Sequence, residues 1–247
     1  MIAAALPLLQ RCVFGAFALI FVGGAARAEI VTGSGRMASE ARAVPAFQAV
    51  NLKGAMKLVV RQAAAEAVEV RADDNPLPLI ETVVVDRRGT PTLEIGSKRR
   101  ASYSTRNSIV VTVDVVTLKS LALSGSGDAV AEALKAGDLK VQIEGSGNLQ
   151  LRRLAADALG IQVSGSGDIL ATGRAGALSI SIDGSGDVVT RELESDDVSV
   201  SIAGSGDARV NARRTLAVSI AGSGDVDYTG DAVVRSSITG AGSVNKR

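Results

Sequence analysis

Val198-Ser199-Val200-Ser201-Ile202-Ala203-Gly204-Ser205-Gly206-Asp207-Ala208-Arg209-Val210 alternates between two residue classes without a slip. One phase carries Val198, Val200, Ile202, Gly204, Gly206, Ala208 and Val210; the other carries Ser199, Ser201, Ala203, Ser205, Asp207 and Arg209. A period of two belongs to an extended chain with one buried and one wet face. The centre of this stretch recurs, as Ser124-Gly-Ser-Gly-Asp128, Glu144-Gly-Ser-Gly-Asn148, Ser164-Gly-Ser-Gly-Asp168, Asp183-Gly-Ser-Gly-Asp187, Ala221-Gly-Ser-Gly-Asp225 and Thr239-Gly-Ala-Gly-Ser243. The first glycines are spaced by 20, 20, 19, 20, 18 and 18 residues. Seven copies at so even a spacing signal a solenoid. Leu139-Val141-Ile143, Leu159-Ile161-Val163, Leu178-Ile180-Ile182 and Leu216-Val218-Ile220 repeat the aliphatic ladder in the same phase.

Stacked coils pair each strand edge with the next coil at ~4.8 Å, and a coil of this length has a perimeter near ~60 Å, enough for a small three-sided section. The fold class expected is therefore all-β: a right-handed parallel β-helix over 119–247, the hand following from the chirality of parallel crossovers. An antiparallel sandwich would show more varied turns. The paired glycines fall on the inward phase, which reads as a corner where the opposite wall comes close. Residues 44–118 hold strand patterns without the repeat: Phe47 to Lys53 and Met56 to Arg61 flank Gly54, Ala67 to Arg71 runs into Asp73-Asp-Asn-Pro-Leu-Pro78, and Ile80 to Asp86, Thr92 to Ile95 and Ile109 to Val116 follow. A solenoid end is an unpaired sheet edge, so this segment is expected to be an N-terminal non-repeating β cap, of less regular coils or a small sheet. Residues 29–43 read as a linker.

The 247 residues hold 27 Lys+Arg and 26 Asp+Glu, no His, no Trp and one Cys. Such balance is not the footprint of a nucleic-acid binder. Lack of His removes Ser-His-Asp and Cys-His chemistry and imidazole metal ligands. A hydrophobic share of 46% with only 2% aromatics demands a core of small aliphatic side chains. Arg11, the apolar run Cys12 to Gly24 and Ala26-Arg27-Ala28 read as a signal peptide over 1–28, cleaved between Ala28 and Glu29 and leading to the periplasm or beyond. The rival reading, a retained anchor, is disfavoured because the clean run is shorter than the ~20 residues that span a bilayer.

These repeats resemble a bacterial family, the auto-transporter adhesin head or GIN domain, over about 44–243. The resemblance rests on the iterated Ser-Gly-Ser-Gly-Asp units, on Val44-Pro-Ala-Phe47 before a hairpin, and on the Ala72-Asp-Asp-Asn75 turn. It implies an exported, right-handed β-helical protein and proposes adhesion without a defined ligand. After Ser243 the sequence stops at Arg247 with no barrel segment, so an auto-transporter by itself is not expected.

The outward column Asp128, Asn148, Asp168, Asp187, Asp207, Asp225 and Ser243 admits two readings. One is a calcium ladder on Asp128, Asp168, Asp187, Asp207 and Asp225, since carboxylates are hard-oxygen ligands. The other is a turn role, each side chain accepting a backbone N–H; Asn148 and Ser243 can do this without charge, which favours it. A polysaccharide-active enzyme would need a carboxylate pair in a cleft; Asp183 with Asp187 is a candidate pair, but the even intervals leave no insertions to wall one. No cofactor is expected: no glycine pair is followed by Lys-Ser/Thr. The loop Gly96 to Asn107, with Lys98, Arg99, Arg100 and Arg106, reads as a solvated hairpin tip rather than a binding patch. What remains is a surface. The outward face holding Lys140, Gln142, Gln162, Ser179, Ser181, Ser199, Ser201 and Ser219 is small and polar, and Ser179, Ser181, Ser199, Ser201 and Ser219 are its candidate contact residues. The function expected is a non-catalytic envelope binding module, with an envelope protein or glycan as partner and self-association through the C-terminal coil edge as a further contact.

Overall fold

The computed structural model describes residues 30–247. The signal expected over 1–28, with Cys12 and the Ala28–Glu29 junction, lies outside the described residues.

Among the described residues, nine strands precede the glycine repeats. They are β1 (Ile30–Thr32), β2 (Met37–Arg42), β3 (Ala49–Lys53), β4 (Lys57–Gln62), β5 (Ala67–Asp73), β6 (Ile80–Arg87), β7 (Thr90–Ser97), β8 (Ser102–Ser104) and β9 (Val110–Val115), with one 3₁₀ turn at Leu77–Leu79. The repeats begin with β10 (Ser120–Gly125), β11 (Asp128–Glu132), β12 (Lys135–Gly145) and β13 (Leu149–Gly165). They continue through β14 (Ile169–Gly184), β15 (Val188–Gly204), β16 (Ala208–Gly222), β17 (Val226–Thr229), β18 (Val233–Gly240) and β19 (Val244–Lys246).

The repeats form a parallel β-solenoid. Leu139, Leu159, Leu178, Val198 and Leu216 stand in register, and so do Gly145, Gly165, Gly184, Gly204, Gly222 and Gly240. The inward phase is buried as the alternation requires: Val198, Val200, Ile202, Ala208 and Val210 are all sealed, while Ser199 and Ser201 are exposed. One aliphatic core runs without a break from Phe47 to Val226. Burying each Val, Leu or Ile side chain in it contributes about 1.5–3 kcal/mol.

Three features differ from the sequence reading. The residues read as a linker include β1 and β2, which pair with β8 and β5. Charged residues in β2 (Glu40, Arg42) hide the alternation that would have marked it; Arg42 is part-buried and donates to the Leu77 carbonyl. Second, β3 and β4 form a coil of their own, β3 parallel to β10 and β4 parallel to β11. Its outer side is covered by β7 and β9, again parallel. The coil formed first in the chain therefore lies between one formed later and the repeats. Beyond it, β6 on β7 and β5 on β9 pair antiparallel, and these strands close the sheet edges. Third, the glycine corner does not approach the opposite wall. Each glycine meets the glycine one coil before it: a Cβ on Gly206 would lie 2.2 Å from the Gly186 carbonyl oxygen.

Unequal repeat lengths are absorbed away from the glycine corner. The register slips by a residue between Leu151 and Leu154 and again between Leu170 and Gly173; it slips by three between Thr190 and Glu194 and by one between Ser195 and Asp197. The inward column there is Ala156, Ala175, Ser195 and Ala212. Ser195 is 1% exposed and its hydroxyl has no hydrogen-bond partner among the described residues. A buried unpaired hydroxyl costs about 1–3 kcal/mol, so Ser195→Ala, matching its column neighbours, is expected to stabilise by up to about 1 kcal/mol in urea denaturation. A loss of stability would show that the hydroxyl has a partner.

At the cap end, Asp73 is 1% exposed and forms no ion pair among the described residues. Its carboxylate accepts from Thr105 Oγ1 at 2.7 Å and Asn107 Nδ2 at 2.6 Å. Those bonds, the Asn107 amide first, and the Gly35 N–H hold its pKa below the usual Asp range against the effect of burial. One carboxylate thereby ties the turn after β5 to the loop before β9.

The aspartate column and the candidate binding face

The glycine turn breaks the ladder locally, and the column residue restores it. After each turn the next N–H runs forward to a carbonyl of the following coil, as from Val188 to Asp207 O (2.9 Å) and from Ala208 to Asp225 O (2.9 Å). The column residue's own N–H faces back, where the preceding coil offers a side chain instead of a carbonyl. Asn148 N donates to Asp128 Oδ1 (3.0 Å), Asp168 N to Asn148 Oδ1 (3.3 Å) and Asp187 N to Asp168 Oδ1 (2.9 Å). Asp207 N donates to Asp187 Oδ1 (3.0 Å), Asp225 N to Asp207 Oδ1 (2.9 Å) and Ser243 N to Asp225 Oδ1 (2.8 Å). Asn148 fits because its amide oxygen accepts equally well. Ser243 also donates its hydroxyl to Asp225 Oδ1 at 2.8 Å.

Stacked carboxylates repel, and three devices offset this. Each binds an N–H dipole, Asn148 interrupts the charge, and Arg209 spans the outer oxygens of Asp187 and Asp207 at 3.9 Å from each. In the coil of β3 and β4 the position is held by Lys57, in register with Asp128. The carboxylates are strung one per coil and do not converge; among the described residues no three acidic side chains gather as metal ligands would. The geometry is that of a backbone cap. Asp187→Asn, which keeps the acceptor, is expected to change stability by at most about 0.5 kcal/mol, whereas Asp187→Ala strands the Asp207 N–H and costs about 1–2 kcal/mol. Millimolar calcium is expected to leave the melting temperature unmoved; a rise abolished by Asp187→Asn with Asp207→Asn would make the column a metal ladder.

The five candidate serines lie together. Gly160, Ser179, Ser199 and Ala217 form one row across the coils, and Gln162, Ser181, Ser201, Ser219 and Ser237 form the next. All five serines are exposed. Hydroxyls repeat along a row at ~4.8 Å and rows lie ~7 Å apart, so the face is flat. Gln142 Nε2 donates to Gln162 Oε1 at 3.1 Å, a side-chain ladder bounding it on the cap side. A shallow depression over Ala177, Ser179, Ser199 and Ala217 is edged by Asp197 and Thr215. Asp197 accepts from Arg214 Nε at 2.9 Å and Thr215 Oγ1 at 2.7 Å. These bonds, Arg214's foremost, lower its pKa to about 2. Reading the sequence missed this edge, since Asp197 and Arg214 fall where the register slips and spacing alone does not pair them. Asp183 and Asp187 flank the turn at Gly184 and Gly186, and Asp187 is engaged by the Asp207 N–H and Arg209.

Asp73 and Asp197, together with Glu94 beside Lys53 and Arg87 and Asp227 beside Arg247, have pKa values below their unfolded ones, so their stabilisation is present above about pH 4 and is lost as pH falls. We expect the melting temperature to hold down to about pH 4 and to fall between there and about pH 2. Asp73→Asn should lower the plateau and flatten its upper part. Salt should weaken the contribution of Asp197, whose side chain is 38% exposed, and leave that of Asp73. A profile unchanged by Asp73→Asn would refute its role.

Together these features define a class: a short β-solenoid stapled at one corner by a Gly-Ser-Gly turn and a capping Asp, and closed by a β cap. The chain matches the family described as "Putative auto-transporter adhesin, head GIN domain" over residues 46–232, and it belongs to that family. Its fold is shared by solved bacterial structures. A protein from Bacteroides fragilis described as a putative adhesin superposes with a TM-score of 0.78 at 23% identity, covering 88% of this chain and 100% of that one. One from Parabacteroides distasonis described as a putative lipid binding protein gives 0.73 at 24%, covering 89% and 100%. A putative adhesin from the same species gives 0.69 at 26%, covering 89% and 100%. No curated protein matches the chain.

Proposed function

We propose that this chain is a non-catalytic binding module of adhesion type, exported to the cell envelope through a cleaved leader, and that the serine face is its contact surface. The observation that carries the reading is the pair of exposed rows built from Ser179 and Ser199 and from Ser181, Ser201 and Ser219. A rigid sheet of hydroxyls at fixed spacing offers many weak hydrogen bonds at little entropic cost, which suits an extended protein or glycan surface. The family's description accords with adhesion. The chain has no His, and Asp187, the carboxylate nearest to a catalytic candidate, is committed to a backbone N–H and Arg209.

The test incubates the purified chain with cell-envelope fractions and assays the same preparation against a polysaccharide panel. Saturable retention of one component, lost on Ser201→Glu with unchanged melting, is the expected result. Turnover of any polysaccharide, abolished by Asp183→Asn or Asp187→Asn, would overturn the non-catalytic reading.

A further inference from the structure

Between Glu94 and Asp114 the chain carries no acid, yet it carries Lys98, Arg99, Arg100 and Arg106. All four are exposed, and none is in an ion pair with a described residue. The loop that presents them is ordered by its own backbone: Lys98 N donates to Leu79 O at 2.8 Å and Ala101 N to Lys98 O at 2.9 Å. It joins β7 to β9, the outermost parallel strands at the cap end of the solenoid. Of the acids nearby, Asp73 is engaged by Thr105 and Asn107 and Asp74 by Arg36 at 2.9 Å, which leaves Glu81, opposite Gly96 at the base of the loop, against four cations. This end is therefore a fixed, cationic tip, with Arg36 on its margin.

A second observation says what the tip faces. Strand β8 lies inside the basic loop and pairs with β1 in parallel, Ile30 opposite Ser102 and Thr32 opposite Ser104. The chain thus enters the fold beside Arg100. Ile30 itself is 63% exposed, an apolar side chain at the same tip. Upstream in the sequence stands the apolar run Cys12 to Gly24, which the sequence reads as a leader cut after Ala28. From Gly24 to Ile30 is six residues, which span at most ~20 Å fully extended. Before that leader is cut, its run in a bilayer brings the four cations close enough for the tip to reach the headgroups, and within a Debye length (~8–10 Å) their charges are felt.

We propose that the cap tip, Lys98, Arg99, Arg100 and Arg106 with Ile30, is a docking surface for an anionic phospholipid bilayer. Each basic side chain adds attraction to anionic headgroups, and four together hold the tip at the surface without insertion of the fold. The solenoid then stands with its cap toward the membrane and its C-terminal coil away. The serine rows run along its side and stay open to a partner. The serine face and the tip share no residue, so neither assignment depends on the other.

The test is flotation of the chain from Glu29 onward, whose core from Phe47 to Val226 closes within the described residues. Vesicles of phosphatidylcholine are compared with vesicles containing about one third phosphatidylglycerol. Binding is expected to be at least about tenfold tighter to the anionic vesicles and to fall as salt rises. Replacing Lys98, Arg99, Arg100 and Arg106 together by serine should weaken it at least about tenfold, with the melting temperature unchanged, since these side chains have no partners to lose. Replacing Lys119, Lys135 and Lys140 on the solenoid side should leave it intact. Equal binding to neutral vesicles, or equal loss in both sets of variants, overturns the proposal. So does retention on an anionic polysaccharide matrix with none on anionic vesicles, which would make the tip a glycan site.

Discussion

Gly204→Val is expected to lower stability by about 3 kcal/mol or more, a large part of the roughly 5–15 kcal/mol of an ordinary domain, while the adjacent Ser205→Ala stays within about 0.5 kcal/mol of the parent. Two costs add at Gly204. Its φ is +135°, which an L side chain, β-branched above all, adopts only under strain. A Cβ there would also lie 2.1 Å from the Gly184 carbonyl oxygen, a backbone atom that cannot turn aside. That oxygen accepts the Ser205 N–H at 2.9 Å, so moving away breaks a rung of the ladder. The coil above allows no retreat either, because Gly222 rests on the Gly204 carbonyl in the same way. Overpacking of about 1–3 kcal/mol and the conformational strain then have no outlet. Urea denaturation of the two variants measures the contrast. Equal effects at Gly204 and Ser205 would show that the stacking is wrong.

Ile182→Ala is expected to cost about 3–4 kcal/mol, near the upper half of the range for large-to-small changes. Ile182 is 1% exposed and lies between Val163 and Ile202 in the inward column. Cavities cost less where the surroundings collapse into them. Here the neighbours above and below hang on coils fixed at ~4.8 Å by continuous backbone pairing, so little collapse is available. The Cγ2 of Ile182 also fills the space beside Gly206, where a Cβ would lie only 3.0 Å away. Its loss opens the corner as well as the column. A cost below about 1 kcal/mol would mean the coils do close up, and that the solenoid is softer than its pairing implies.

The serine rows were legible from the sequence because they need only two local facts. Phase places Ser199 and Ser201 outward, and a period near twenty sets Ser179, Ser181 and Ser219 beside them. The aspartate column was legible by the same means, and Asn148 and Ser243 within it already favoured the turn role; which N–H each residue accepts was not legible. Nothing local says that the turn orients the Asp207 N–H toward Asp187 rather than toward a carbonyl. Asp73 gave no signal beyond a turn, since its donors, Thr105 and Asn107, lie more than thirty residues away. The basic loop read as a solvated tip on composition. Its pairing with β1 is the tertiary fact on which the docking proposal rests.

By itself, the sequence determined the strands, their buried and wet faces, the parallel stack and the position of the staple corner. Those follow from alternation and period, which are set by the geometry of an extended chain and its nearest coil. Only the tertiary structure decided which strands became neighbours in the cap, where β3 and β4 lie between β7 and β9 on one side and β10 and β11 on the other. It also decided where unequal repeats slip, and that the glycines are required by the coil beneath them rather than by the wall opposite. These are choices among partners far apart in the chain. Any free strand edge offers the same row of N–H and C=O groups, so local pattern cannot name the partner; closure of the core and coverage of the edges do.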